Sequence, residues 1–505
     1  MSNKTSLSQT GIEHVFVLVL ENRSFDHMLG FSGLTGTNAV TGQQTRINGL
    51  NGTESNSYNG NTYEVSKGAD NTMACGPGHG FLDVLEQLCG QGAAYKPGGS
   101  YPALNNSGFV ANYAKNCAQA APSEVMKCQT PSQIPILTLL AQNFAVCDNW
   151  FSSLPGPTWP NRFFVHAASS GGLDDGPSTK QILEWELWEG FAVENGTIFD
   201  SLKKAGHTYR IYSGGSFPPV AALKGIHQLD IRSFNDSFAS DLQKGDYPAQ
   251  YTFIEPCYGK YLEGSYLDGN SQHPVDGVDG GEQLIAHTYN AIRNSPIWEK
   301  SLLIVTYDEH GGFFDTVAPP PAIAPGDKPS GQYSIHGFTF EQYGPRVPAV
   351  IVSPLIPQNI IDHRVYDHAS IPATIEAIFG LPHLTQRDAN ANNLTSLMSL
   401  EDPRQDVPLI EENELGSCPI FEETEELSYA TLAATPLNSL RADDNLAGFL
   451  HVALLSDLDL SPASQRPAIL AQFKSLKTCG DAWQYMQGVQ KKVIAARAAT
   501  VSKAG

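Results

Sequence analysis

His14-Val-Phe-Val-Leu-Val-Leu20-Glu21-Asn22-Arg23-Ser24-Phe25-Asp26-His27 is the stretch on which the fold turns. Val15 to Leu20 is an unbroken apolar run dominated by branched side chains. Such a run suits a strand buried on both faces, as in a parallel sheet covered by helices. It ends abruptly in a carboxylate and a carboxamide. In open α/β sheets ligands bind just beyond the carboxyl ends of the strands, so Glu21 and Asn22 stand where chemistry is expected. Both offer hard oxygens, which suit a divalent cation. A helix start with Asn22 as its cap and Glu21 in solvent fits the same residues. This stretch alone leaves both readings open.

A second stretch decides between them. Ser301-Leu-Leu-Ile-Val-Thr-Tyr-Asp308-Glu309-His310-Gly311-Gly312 repeats the design: an apolar strand, two acids, a histidine and paired glycines. Side by side, the two strands deliver Glu21, Asn22, Asp308 and Glu309 to one place. Three crowded carboxylates without a cation would cost several kcal/mol or force one to protonate, so a metal is expected.

The rest of the chain fits a large α/β enzyme. Its 505 residues, 41% of them hydrophobic, suffice for one core with insertions. No apolar run approaches the roughly 18 residues of a membrane span. Met1 to Gln9 is polar and lacks the apolar core of a secretory signal. A cytoplasmic protein is expected, or one exported by a route that needs no N-terminal signal. A net charge of −21 excludes nucleic acid as a partner. Charge is uneven: residues 401–427 carry ten acids against Arg404, whereas residues 464–505 carry seven Lys/Arg against Asp481. The basic tail either packs onto the acidic body or forms a surface helix for membranes or a partner. Eight cysteines make no zinc spacing; disulfides and free thiols both fit them.

Along the chain, Phe31 to Tyr101 is rich in Gly, Asn, Thr and Ser and reads as a loop-dominated insertion, the usual place for substrate-shaping segments. Within it His79 precedes a helix. Ser152 to Phe164 holds a proline-locked turn with Thr158 between Pro157 and Trp159. Pro160 disfavours helix at Trp159, so the next helix is expected to begin at or after Pro160. A hydroxyl on a rigid turn ahead of a helix N-terminus suits a nucleophile, though a capping threonine fits as well. Helices alternating with buried strands then predict a mostly parallel sheet. The expected organisation is a catalytic domain over residues 1–400, with an insertion at about 31–125. An acidic linker and a helical extension follow over 401–505.

Six motifs, ENRSFDH, PGPTWPNR, QHPVD, TYDEHGGFFD, GPRVPAVIVSPL and YDHASIPATIEAIFGLP, occur in this order between about residues 12 and 390. Together they resemble the phosphoesterase family of bacterial phospholipases C, related acid phosphatases and plant non-specific phospholipases C. The resemblance implies an alkaline-phosphatase-like α/β/α sandwich. It implies a divalent metal (Ca, Mg, Mn or Zn) held by Glu21, Asn22, Thr158, Asp308 and Glu309, with Thr158 as the nucleophile. It also implies phosphate-handling roles for His79 and His273. The chain departs from the family around His79, with Gly76 where the family has Asp and Phe81 where it has Trp.

The expected activity is phospholipase C cleavage of glycerophospholipids to diacylglycerol and a phosphorylated headgroup, through a phosphothreonine. A broad acid phosphatase acting on small phosphate esters is the alternative. A third reading, a catalytically inactive binding protein, conflicts with the intact set Glu21, Asn22, Thr158, Asp308 and Glu309. The apolar segment Pro319 to Pro325 and the pair Phe313-Phe314 suit either peripheral lipid contact or the core.

Overall fold

Val15 to Leu20 lies inside the main sheet, every side chain fully buried, as strand β1 (His14–Leu20). Each such Val or Leu contributes roughly 1.5–3 kcal/mol by leaving water. The computed structural model describes residues 10–259, 268–328, 333–411, 413, 415, 416, 418, 434–441 and 444–504. Nine further strands join β1 in one sheet. They are β2 (Thr35–Asn38), β3 (Gln44–Arg46), β4 (Ala145–Cys147), β5 (Tyr209–Ser213), β6 (Ile231–Ser233), β7 (Tyr251–Glu255), β8 (Ser301–Tyr307), β9 (Ala349–Val352) and β10 (Ile360–Asp362).

Their order is β6-β5-β7-β1-β8-β9-β4-β10-β2-β3. β1 runs parallel to β7 on one side and to β8 on the other, with Leu20 opposite Tyr307. Only β9 and β3 run against the rest, so the sheet is mostly parallel, as expected.

Helices cover both faces. α1 (Phe81–Cys89) and α2 (Phe109–Asn116) lie within residues 31–125. α3 (Pro135–Asn143), α4 (Thr158–Ala167), α5 (Ile198–Ala205), α6 (Phe234–Leu242), α7 (Asp279–Arg293) and α8 (Ser370–Phe379) belong to the sandwich. α3, α6 and α7 form one layer; α4, α5 and α8 form the other. The α/β/α architecture read from the sequence is therefore present.

One local expectation is corrected and two readings are narrowed. α4 begins at Thr158, not at or after Pro160, with Pro157 as its cap residue. Prolines are tolerated there because the N–H groups of a first turn have no intrahelical partner. The segment from Phe31 is not purely loop: β2 and β3 extend the main sheet, and Ser55–Tyr58 pairs with Asn61–Glu64 in a hairpin. Its two-residue turn, Asn59-Gly60, has both φ values positive (49° and 78°), as a mirror-type turn requires. Phe313 and Phe314 are buried, which removes them from any lipid-facing surface.

The C-terminal helices α9 (Leu446–Leu460), α10 (Arg466–Ser475) and α11 (Cys479–Ala504) share the main hydrophobic core. Ile469, Phe473, Trp483, Met486, Val489 and Val493 are all buried. Lys492 of α11 meets Asp457 of α9 at 2.6 Å. Packing onto the body, rather than a free amphipathic surface, is what the basic tail does. The acidic stretch from residue 419 to 427 lies outside the described residues. Disulfides join Cys75 to Cys117 and Cys257 to Cys418; Cys89, Cys128, Cys147 and Cys479 are free thiols. Among the described residues no helix is long and apolar enough to cross a membrane.

Candidate active site

Because β1 and β8 run in register, their carboxyl ends release Glu21-Asn22 and Asp308-Glu309 side by side. The ladder continues past both strands: Asp308 N–H donates to Leu20 O (3.2 Å) and Arg23 N–H to Glu309 O (3.0 Å). Asn22 has φ +57°, which turns the chain sharply at the strand end. Gly311 faces it; a Cβ there would lie 2.0 Å from Asn22 O, so this close approach admits only glycine.

The four residues are fully buried. Asp308 Oδ1 accepts the Asn22 N–H (2.9 Å) and the Glu309 N–H (2.7 Å), and Oδ2 accepts from Arg162 Nε (3.0 Å). Glu309 Oε2 accepts the Gly311 N–H at 2.8 Å. Among the described residues no donor reaches either Glu21 carboxylate oxygen, or Glu309 Oε1, with full hydrogen-bond geometry, although the Ser271 hydroxyl is close enough to Glu21 to favour its charged form. Burial, with the negative Asp308 beside it, pushes the Glu21 carboxyl well above its ordinary value. Burial likewise raises Asp308 to about 6, against the pull of Arg162. Three orphaned oxygens in a buried cluster of acids are what a hard divalent cation would satisfy, so the residues present fit such an ion.

Thr158 is brought to the same place by α4. Its hydroxyl donates to Asn22 Oδ1 at 3.4 Å, and it stands at the helix N-terminus, where amides favour negative charge. The turn before it is fastened by Asn161. That carboxamide donates to Gly156 O (2.9 Å), Pro157 O (3.1 Å) and Leu154 O (3.3 Å), and accepts the Leu154 N–H (3.2 Å). His79 lies on the other side of Asn22. Its Nδ1 faces Pro77 O (3.0 Å), which fixes Nε2 as the acceptor of Asn22 Nδ2 (3.0 Å). His273 follows, its ring 6.3 Å from that of His79. Burial, with His79 and Arg23 nearby, pushes the His273 imidazole well below its ordinary value. His79 and His273, 4% and 6% exposed, are the members of the set that reach towards solvent. Of the seven residues singled out in the sequence, Asp308, Thr158 and His79 bond Asn22 directly, Glu21 and Glu309 lie at the same paired strand ends, and His273 stands beyond His79.

Other residues of the site escaped the sequence reading. Arg162 pairs with Asp308 and with Glu255 at the end of β7 (3.1 Å), and donates to Val19 O and Leu20 O. It is the cation that holds three strand ends together. Burial works against its charge, but Tyr258, Asp308 and Glu255 outweigh this and raise its value. Arg23 donates to Gln272 O (2.7 Å), His273 O (3.4 Å) and Asp276 O (3.3 Å), and so sets the loop that carries His273. His368 Nε2 lies 2.6 Å from Asp308 O, with Trp150 Nε1 donating to its Nδ1. Arg23 was visible in the sequence directly after Glu21 and Asn22, whereas Arg162, four residues past Thr158, carries no such mark.

The chain is similar to known proteins over most of its length. The model of the Phosphoesterase family matches residues 12–382. Non-specific phospholipase C6 of Arabidopsis thaliana is 36% identical over 417 residues, 79% of this chain and 75% of that protein. Non-specific phospholipase C3 of the same plant is 35% identical over 417 residues, 80% of this chain and 76% of that protein. Phospholipase C B of Mycobacterium tuberculosis is 29% identical over 437 residues, 78% of this chain and 79% of that protein. Among solved structures, murine ectonucleotide pyrophosphatase/phosphodiesterase 5 is 12% identical, covering 52% of this chain and 94% of that one at a TM-score of 0.34. The chain belongs to the phosphoesterase family.

Proposed function

We propose that this protein is a phospholipase C, cleaving glycerophospholipids to diacylglycerol and a phosphorylated headgroup. The observation that carries the reading is the hydrogen-bonded line Thr158–Asn22–His79, which sets a hydroxyl at a helix N-terminus opposite an imidazole. The names of the plant and mycobacterial relatives support phospholipid as the substrate class.

Glu21, Asn22 and Glu309 would hold a divalent cation, with Asp308 shared between it and Arg162 and with Thr158 at its edge. When bound, that ion offsets the charge of the phosphoryl oxygens and lowers the pKa of a nearby hydroxyl. Thr158 Oγ forms the bond to phosphorus as the bond to the glycerol oxygen breaks. The α4 amides face the charge that develops. The Thr158 proton leaves to solvent, and on the far side of Asn22 the anionic substrate raises the proton affinity of His79 and His273, which take up a proton there, bind phosphoryl oxygens and pass the proton to the leaving alkoxide. Water then cleaves the phosphothreonine and frees the headgroup phosphate. The two disulfides, which persist in oxidising compartments, favour action outside the cytosol.

The test is a substrate panel of phosphatidylcholine, phosphatidylethanolamine and p-nitrophenyl phosphate, run with and without chelator. Diacylglycerol release that chelation abolishes is expected. Hydrolysis of the nitrophenyl ester alone would replace the reading with a phosphomonoesterase, and full activity in metal-free protein would remove the cation from it.

A further inference from the structure

A second cluster of ligand-type side chains lies away from the catalytic strand ends. Glu376 sits near the end of α8, about 9 Å of helix beyond Ser370, and the helix then stops at Gly380 in the left-handed region (φ +68°). The following loop folds back, placing His383 Nδ1 2.7 Å from Glu376 Oε2. Asp388, on the short helix Gln386–Asn390, completes the group. One ligand atom from each of Glu376, His383 and Asp388 lies within 4.8 Å of the others.

Helix capping accounts for part of this cluster. Asp388 accepts the Leu384 N–H (2.7 Å), the Thr385 N–H (2.7 Å) and the Thr385 hydroxyl (2.8 Å). Capping leaves Glu376 unexplained. That side chain is 1% exposed; among the described residues its Oε1 meets no partner with hydrogen-bond geometry, and burial with the Asp388 carboxyl group beside it pushes Glu376 up to about 10. An acid in that position calls for a proton or a cation. The imidazole supplies the nitrogen ligand, and its half-exposed side chain leaves an entry path.

We propose that Glu376, His383 and Asp388 form a second cation site, for a divalent transition metal of the zinc type. One imidazole nitrogen and two carboxylate oxygens, with water in the fourth position, match the ligand preferences of that ion. Bond lengths of about 2.0–2.2 Å would draw the three ligands somewhat closer together. The ion would staple the end of α8 to the Gln386–Asn390 helix. That helix carries Arg387, whose guanidinium donates to Ser153 O (3.0 Å) and Asp367 (3.1 Å) under the turn that leads to Thr158. The role is structural, and the reading does not depend on the proposed phospholipase activity.

The test uses the full chain, stripped with chelator and then titrated with Zn²⁺. Bound metal is counted by elemental analysis and stability followed by thermal unfolding. Wild type should bind one equivalent more than His383→Gln, and the rise in Tm that accompanies this equivalent should be absent from the variant. The double variant Glu21→Gln/Glu309→Gln should retain both the equivalent and the rise. Co²⁺ bound in place of zinc gives a visible spectrum that reports on nitrogen ligation, and His383→Gln should lose that component. Equal metal content and equal Tm shift in wild type and His383→Gln would overturn the proposal, as would no zinc-linked shift in the double variant.

Discussion

At the scale of single residues, Thr158 and Arg162 carry opposite burdens. Thr158 is fully buried, yet its hydroxyl makes one long contact, to Asn22, so it holds little of the fold together. Thr158→Val keeps the shape and removes the oxygen. Turnover should fall roughly 10⁴-fold or more, with the unfolding midpoint nearly unchanged. Thr158→Ser should keep appreciable activity, and acid-quenched enzyme should carry phosphate at position 158 by mass spectrometry. Arg162 is the reverse case. Replacing it with Met leaves Asp308 and Glu255 buried without their cation, which should cost about 3–5 kcal/mol in urea unfolding. Glu21, Asn22, Asp308 and Glu309 were legible because each pair abruptly ends an apolar run. Arg162 was not, because a lone arginine inside PNRFF looks like a solvated helix residue until the partners on β1, β7 and β8 are known.

At the scale of elements, the helix that presents Thr158 is held by a segment from the far end of the chain. Trp159 Nε1 donates to Asn445 Oδ1 at 2.8 Å, and its ring packs edge-on against Phe449 of α9. Gly448 makes that contact possible, since a Cβ there would lie 2.1 Å from Trp159 Cζ2. Gly448→Ala must therefore push the ring, and with it the first turn of α4. A stability loss of about 1–3 kcal/mol is expected, together with a fall in turnover measurable on a soluble ester. Unchanged kinetics would show that α4 absorbs the shift without moving Thr158. The sequence disclosed a helical extension in this region, but not what its helices cover. The reversed direction of β9 was equally hidden, because an apolar run reads the same in either orientation. The Asn59-Gly60 hairpin turn, by contrast, was available in the sequence as a two-residue turn signal.

At the scale of the whole molecule, acid is the expected weakness. His166, His368 and His451 are fully buried, and burial pushes them down to about 3, 4 and 4. In each case the unfolded chain binds a proton that the folded chain refuses, so each weakens the fold as pH falls from about 6.5 towards 4. His451, whose Nε2 bonds Leu187 O far from the catalytic strand ends, isolates the effect. His451→Gln should lose less stability than wild type between pH 7 and 4.5, by roughly 2 kcal/mol, in paired denaturant titrations. The sheet order has a further consequence, in biosynthesis. β1 leaves the ribosome first among the strands, but its neighbours are β7 and β8, which begin at Tyr251 and Ser301. At about 5–20 residues per second, the run Val15 to Leu20 waits roughly ten to fifty seconds for its first partner. Until then the nascent chain exposes six consecutive apolar residues of high strand propensity. A strand buried on both faces in the finished protein is thus an aggregation hazard during synthesis, and one a chaperone would need to shield.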